Sequence, residues 1–217
     1  MKTRIFSALI CGYGVPKNIF EDKGYHAYLT ACFNHLFKNL RDKPGKIIVN
    51  GGPTDCYKPY RRTEAGEMAK WLKKKKTEVE KLTSQKIPWQ IISRPKSLSS
   101  AEDLLNFKQL ASGQKIIFCE HTRAPRIKKL AAKIFQDRIK IVPIYFDDSP
   151  RRYIPIRTAQ SEKDFLKMEL ATINDLAALK KLRDFMKKKL KIMRKHSAEE
   201  AHRKLPKILE KLHQELK

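Results

Sequence analysis

Between residues 5 and 146, short apolar runs alternate with longer segments whose apolar residues recur every three or four positions. The runs at residues 5–11, 46–50, 89–93, 115–120 and 139–146 have strand length and are largely apolar, as strands covered on both faces are. The segments between them carry helical stripes. The first has Tyr25, Tyr28, Leu29, Cys32, Phe33, Leu36 and Phe37, and the second Ala65, Met68, Ala69 and Leu72. The third has Leu104 and Leu105, and the fourth Ile127, Leu130, Ala131, Ile134 and Phe135. Five strands with a helix in every gap predict a parallel sheet with helices on both sides, joined by right-handed crossovers. The expected fold class is therefore α/β, a Rossmann-like three-layer α/β/α arrangement with a mainly parallel five-stranded sheet.

Local signals mark the element ends. Thr63 is placed to cap the second helix, and Ser99 with Glu102 three residues later matches a capping box. Gly51, Gly52 and Pro53 break the second strand. Residues 147–160, with Pro150, Pro155 and several arginines, read as a long loop. Beyond it the chain turns helical. Leu176, Leu179, Leu182, Met186, Leu190 and Met193 form one stripe, and Ser197 would cap a last helix carrying Leu205, Ile208, Leu209 and Leu212. The expected organisation is a Rossmann-like domain at 1–160 with a basic helical extension at 161–217 packed on it.

Composition narrows the setting. A chain of 217 residues with a hydrophobic fraction of 41% is long enough and apolar enough for one sizeable core. The apolar run at residues 5–11 is far too short to span a bilayer and lacks a signal-peptide cleavage pattern, so a cytoplasmic protein without membrane insertion is expected. Cys11, Cys32, Cys56 and Cys119 lie far apart, without a C-x-x-C pair or zinc-type His spacing, which points to reduced structural thiols and no metal. The net charge is +25, spread along the chain: residues 161–217 hold 16 Lys/Arg and 9 Asp/Glu, and residues 1–160 hold 32 and 14. Lysine runs such as Lys73 to Lys76 and Lys187 to Lys189 fit a solvated surface or, as the rival, a polyanion-binding one.

In an open parallel sheet every strand-to-helix loop emerges on one edge, where ligands bind. Gly12 and Gly14 follow the first strand; Gly51, Gly52, Thr54, Arg61 and Glu64 follow the second. Arg94, Ser97, Ser100 and Glu102 follow the third, and Glu120, His121, Arg123 and Arg126 the fourth; Asp147 and Asp148 come after the fifth. Glycines there allow backbone N–H groups to approach an anion, helix N-termini add positive potential, and arginines grip phosphate or carboxylate. Each signal has a structural counterpart: Glu64 and Glu102 suit a helix's first turn, Arg126 suits a solvated face, and His121 a bonded loop position. Carboxylates beside arginines are not expected to have the raised pKa that a general base needs.

At these same loops the sequence resembles the YdcF/SanA/ElyC-like family of Rossmann-like domains of unknown function, over roughly residues 5–146. The resemblance lies in Ala8-Leu9-Ile10-Cys11-Gly12-Tyr13-Gly14, in Ile47 to Gly52 followed by Thr63-Glu64-Ala65 with Met68 and Leu72, and in two later blocks. The third block is the family's S-x-x-T-x-E-N, here Ser97, Ser100, Glu102 and Asp103. The fourth is its H-x-x-R, here Arg123-Ala124-Pro125-Arg126, with His121 two residues earlier. Asp103 thus adds charge where an amide would stand, and the lost histidine weakens an acid–base role carried over from it. The resemblance implies a small nucleotide-like ligand, S-adenosylmethionine or another nucleotide, and no defined reaction.

Two functional expectations follow. The first is binding of a nucleotide-like or phosphorylated small molecule at the C-terminal edge of the sheet, with Gly51 and Gly52 donating from the backbone. In it Arg61, Arg123 and Arg126 hold negative charge, and Glu64 and Glu102 accept hydrogen bonds. The second is a non-enzymatic nucleic-acid-binding protein that uses its lysine-rich surface. Neither fixes an oligomeric state.

Overall fold

The computed structural model describes residues 5–146 and 159–195, together with Lys207 and Glu210. The central strand, β1 (Phe6–Cys11), is buried along its whole length, as a strand covered on both faces must be. It pairs in parallel with β2 (Gly45–Asn50) on one side and β4 (Gln114–Glu120) on the other. Outside these lie β3 (Trp89–Arg94) and β5 (Lys140–Ile144), each parallel to its neighbour, so the sheet order is β3-β2-β1-β4-β5. This is the expected five-stranded parallel sheet.

Side chains alternate along β1 and divide the core. Phe6, Ala8 and Ile10 face one side with α1 (Lys23–Leu40) and α2 (Glu64–Thr83). Leu9 and Cys11 face the other with α3 (Ser100–Leu110) and α4 (Ala124–Ile134). Ser7 lies among them fully buried; its hydroxyl donates to the Ser112 carbonyl and accepts from the Ser112 N–H, both at 2.9 Å, so it leaves no polar group unsatisfied. Tyr28 of α1 sends its hydroxyl to the carbonyls of Cys11 and Phe118, at 2.8 and 3.2 Å, and so ties the C-terminal ends of β1 and β4 together.

The caps form where the sequence places them. Thr63 Oγ1 accepts from Gly66 N at 3.0 Å, and Ser99 Oγ accepts from Glu102 N at 3.3 Å. Glu102 turns back to accept from Leu98 N at 2.9 Å, one residue ahead of the cap. Strand edges differ slightly from expectation. Ile5 is exposed and precedes β1, and β5 ends at Ile144, before the exposed Tyr145.

Two further helices follow. α5 (Ala159–Ala171) packs on α4 and α3, and α6 (Leu176–Lys195) returns against α5. Phe165 and Met168 of α5 meet Leu182 and Phe185 of α6 in a small core of their own. The α6 stripe holds for Leu182 and Leu190, whereas Leu176 is 84% exposed at the helix start. Asp147, Asp148, Pro150, Pro155, Ser197, Leu205, Ile208, Leu209 and Leu212 lie outside the described residues, whereas Lys207 and Glu210 of the expected last helix are helical.

Candidate functional site

The strand order makes β1 and β4 the pair at which the crossover direction reverses, and the loops after them splay apart. A crevice opens there. Its walls enclose about 930 Å³ with the open mouth and its solvent included. Its floor comes from all four strand-to-helix connections of the described sheet edge. Gly12, Tyr13 and Gly14 follow β1; Gly51, Thr54 and Glu64 follow β2; Ser97 to Ser100 and Asp103 follow β3; and Glu120, Thr122, Arg123 and Arg126 follow β4. The roof is apolar and belongs to the C-terminal helices: Phe165, Met186, Leu190 and Met193, with Lys189 beside them.

Glu64 is part of the floor. One carboxylate oxygen accepts from Thr54 Oγ1 at 2.5 Å, and the Gly14 N–H also donates to the carboxylate. Two glycines make room for it. A Cβ on Gly12 would lie 2.3 Å from Glu64 Oε2, and one on Gly51, whose φ is +148°, would lie 2.5 Å from Glu64 Cβ. Burial raises the Glu64 pKa, against the lowering effects of the Thr54 hydrogen bond and Arg123.

Asp103 lies one helical turn into α3 and accepts from Ser97 Oγ at 2.5 Å. Burial, reinforced by the negative charges of Glu64 and Glu169, pushes its pKa up to about 7, although the Ser97 hydrogen bond and Arg123 pull it down. The sequence-based expectation that a carboxylate near arginines does not gain a raised pKa is therefore corrected at Glu64, where burial outweighs the guanidinium group. A carboxyl that holds its proton near neutrality can donate it to, or take it from, a bound molecule.

The arginines do not behave as expected from sequence. Arg123, in a short 3-10 turn at His121–Arg123, donates to the Gly12 carbonyl and, at 2.9 Å, to Ser100 Oγ. It thereby clips the β1 loop to the start of α3 across the crevice. Arg126 is 5% exposed and pairs with Glu169 of α5 at 3.0 Å. Arg61 is exposed on the loop before α2. Its neighbour Arg62 is the one turned inward: Nε and Nη2 reach the two oxygens of the buried Asp55 at 3.0 and 2.9 Å, and Nη1 reaches the carbonyls of Pro16 and Lys17 at 2.8 and 2.7 Å.

Of the residues singled out by sequence, Gly12, Gly14, Gly51, Thr54, Glu64, Ser97, Ser100, Glu120, Arg123 and Arg126 line the crevice together. Four do not. A Cβ on Gly52 would lie 2.5 Å from the Ser97 carbonyl oxygen, so its role there is close packing of two loops. Glu102 is spent on the Leu98 N–H and on Arg183. His121 stacks on the exposed ring of Tyr145 at 4.6 Å, and Arg61 points to solvent. Sequence missed Tyr13 and the roof from α5 and α6. Met186 and Met193 stand in the stripe legible on α6, but nothing in that stripe says that it covers this crevice.

Cys11, Cys32 and Cys119 are buried thiols whose pKa burial raises, and no two of the described cysteines are bonded. Among the described residues, no three His, Cys, Asp or Glu side chains come together in a metal-holding arrangement, and no helix is long and apolar enough to cross a membrane. Comparison with protein-family models, with curated proteins and with solved structures finds no match to this chain.

Proposed function

We propose that this protein binds a nucleotide-like small molecule in the crevice where β1 and β4 diverge. The observation that carries the reading is Glu64: a carboxylate packed against Gly12 and Gly51, oriented by Thr54 and Gly14, in the lining of a cavity under an apolar roof. A carboxylate at this point of a parallel sheet suits ribose hydroxyls, and the methionine-rich roof suits the flat face of a base. The resemblance to the YdcF/SanA/ElyC-like family supports the same reading and makes S-adenosylmethionine the first probe.

Melting of the purified chain with S-adenosylmethionine and a nucleotide panel tests it. A rise in melting temperature that Glu64→Gln removes supports the reading. A panel without effect on the wild-type chain refutes it.

A second reading, polyanion binding, is favoured by the outer side of α6. Lys180, Lys187, Lys188, Lys191 and Lys195 are exposed there, and Asp184 is the one acidic residue of that helix. Single-stranded RNA affinity falling about 0.7 log units per log unit of salt for each phosphate contacted would support it. Salt-independent or absent binding would exclude it.

A further inference from the structure

The charge of the ligand follows from how the crevice spends its own donors, and this step rests on the ligand-binding reading above. Helix N-termini at the ligand edge of a parallel sheet normally offer unpaired N–H groups to an anion. Here the N-termini of α2 and α3 are satisfied from within the chain. At the start of α3, Ser100 N and Ala101 N donate to Glu169 Oε1 at 2.7 and 3.2 Å, Glu102 N to Ser99 Oγ at 3.3 Å and Asp103 N to the Ser99 carbonyl at 3.1 Å. At the start of α2, Glu64 N and Ala65 N donate to the carbonyls of Gly52 and Gly51, each at 3.2 Å, and Gly66 N and Glu67 N to Thr63, each at 3.0 Å.

Glu169 is thus a resident anion. It comes from α5, is 0% exposed, and its second oxygen accepts from Arg126 Nη1 at 3.0 Å. The Arg126 guanidinium also lies 5.2 Å from the centre of the Phe165 ring. The place where a bound phosphate would meet a helix dipole and an arginine is filled by the protein's own carboxylate. The remaining cations are balanced as well. Arg123 lies among Glu120, Asp103 and Glu64, and Lys189 is close enough to Glu64 to lower its pKa. Glu64 and Glu120 in the lining and Glu169 behind it thus answer the three cations Arg123, Arg126 and Lys189, with Asp103 holding its proton up to near neutrality, although the chain as a whole carries +25.

We infer that the crevice takes a phosphate-free small molecule, neutral or cationic, whose hydroxyl or amine groups donate to Glu64 and Asp103 and whose apolar part lies against Met186, Leu190 and Met193. Glu169 is the positioning residue that sets this preference, because it fills the anion position from α5. A phosphate brought into the crevice would meet cations already answered by carboxylates and find the opening N–H groups of α2 and α3 taken.

Matched pairs test the inference on the full chain by melting and calorimetry: adenosine against adenosine 5′-monophosphate, ribose against ribose 5-phosphate, and inorganic phosphate alone. The phosphate-free member of a pair is expected to bind at least about tenfold tighter, and inorganic phosphate to give no shift beyond sodium chloride of equal ionic strength. A lead for the phosphorylated members overturns the inference and leaves the binding reading standing; silence from every member overturns both. The second arm is Glu169→Ala, in which acetate or phosphate should re-enter the vacated position and raise the melting temperature more than in the wild type. A folded Glu169→Ala variant indifferent to both anions contradicts the resident-anion account. Should that variant not fold, Glu169→Gln decides: removing the charge beside Arg126 is expected to narrow the preference for adenosine over its monophosphate by about tenfold, and an unchanged preference contradicts the account.

Discussion

The carboxylate of Glu102, on α3, accepts a hydrogen bond from the guanidinium Nε of Arg183, on α6. A residue whose sequence position suggested ligand contact thus fastens the roof of the crevice to its floor. Arg194 makes a second fastening near the other end of α6, donating to the carbonyls of Asp55 and Pro53, each at 2.8 Å.

The two partners of the first fastening are expected to differ in cost. The Arg183 side chain is 43% exposed, so Arg183→Ala should lower stability by about 1 kcal/mol or less. Glu102→Ala also strips the Leu98 N–H of its acceptor, and about 1–3 kcal/mol is expected. Urea unfolding of both variants checks the order; equal losses would mean that Glu102 acts through Arg183 alone.

Asp103 imposes a pH dependence with a definite sign. Its folded-state pKa of about 7 lies above its ordinary value, so the folded chain binds the proton more tightly than the unfolded chain does. The stability tied to that proton is present in full below the ordinary carboxyl range and is lost as pH rises towards 7. Asp103→Asn, which keeps an acceptor for Ser97, should therefore gain on the wild type as pH rises from about 4 to about 7, and the gap should stay constant above that. Melting temperatures of the two proteins across this range supply the test, and parallel curves would count against the buried, protonated carboxyl.

Gly51 is expected to tolerate no side chain. Its φ is +148°, and a Cβ would press within 2.5 Å of Glu64 Cβ. Gly51→Ala should cost about 2 kcal/mol or more and displace Glu64, so ligand binding falls together with stability. Ligand binding at wild-type strength in a folded Gly51→Ala chain would show that Glu64 need not sit where it does.

Arg62 and Asp55 hold the loops after β1 and β2 together. Asp55 is fully buried and takes two bonds from the guanidinium, which also reaches the carbonyls of Pro16 and Lys17. Arg62→Ala leaves that carboxylate without its cation and should cost about 3–5 kcal/mol, whereas Arg61→Ala, at an exposed position, should change stability by about 0.5 kcal/mol or less. Paired urea melts distinguish the two.

This neighbouring pair also shows where sequence stops being informative. Strand and helix positions repeat with a period, and the buried faces of β1, α1, α2 and α4 could be read from that period. A loop has no period, so nothing in the order of Arg61 and Arg62 says which one turns inward. The same limit explains Arg126: read alone, it was either a solvated residue or an anion holder, and its partner Glu169 stands 43 residues away on another helix. Charge neighbours were visible at Glu64, but the burial that outweighs them comes from packing of all four loops under α6. The amphipathic stripe of α6 was legible; the crevice it covers was not, because which surface a helix covers is decided by the rest of the fold.

Native mass spectrometry of the freshly purified chain, beside Glu64→Gln, puts the binding crevice to its most direct test. The wild-type spectrum is expected to carry a small-molecule adduct, or to acquire one from the nucleoside panel, and the variant to lose it while keeping the wild-type melting profile. A wild-type chain that stays bare throughout, or an adduct indifferent to Glu64→Gln, would contradict the assignment of this crevice as the ligand site.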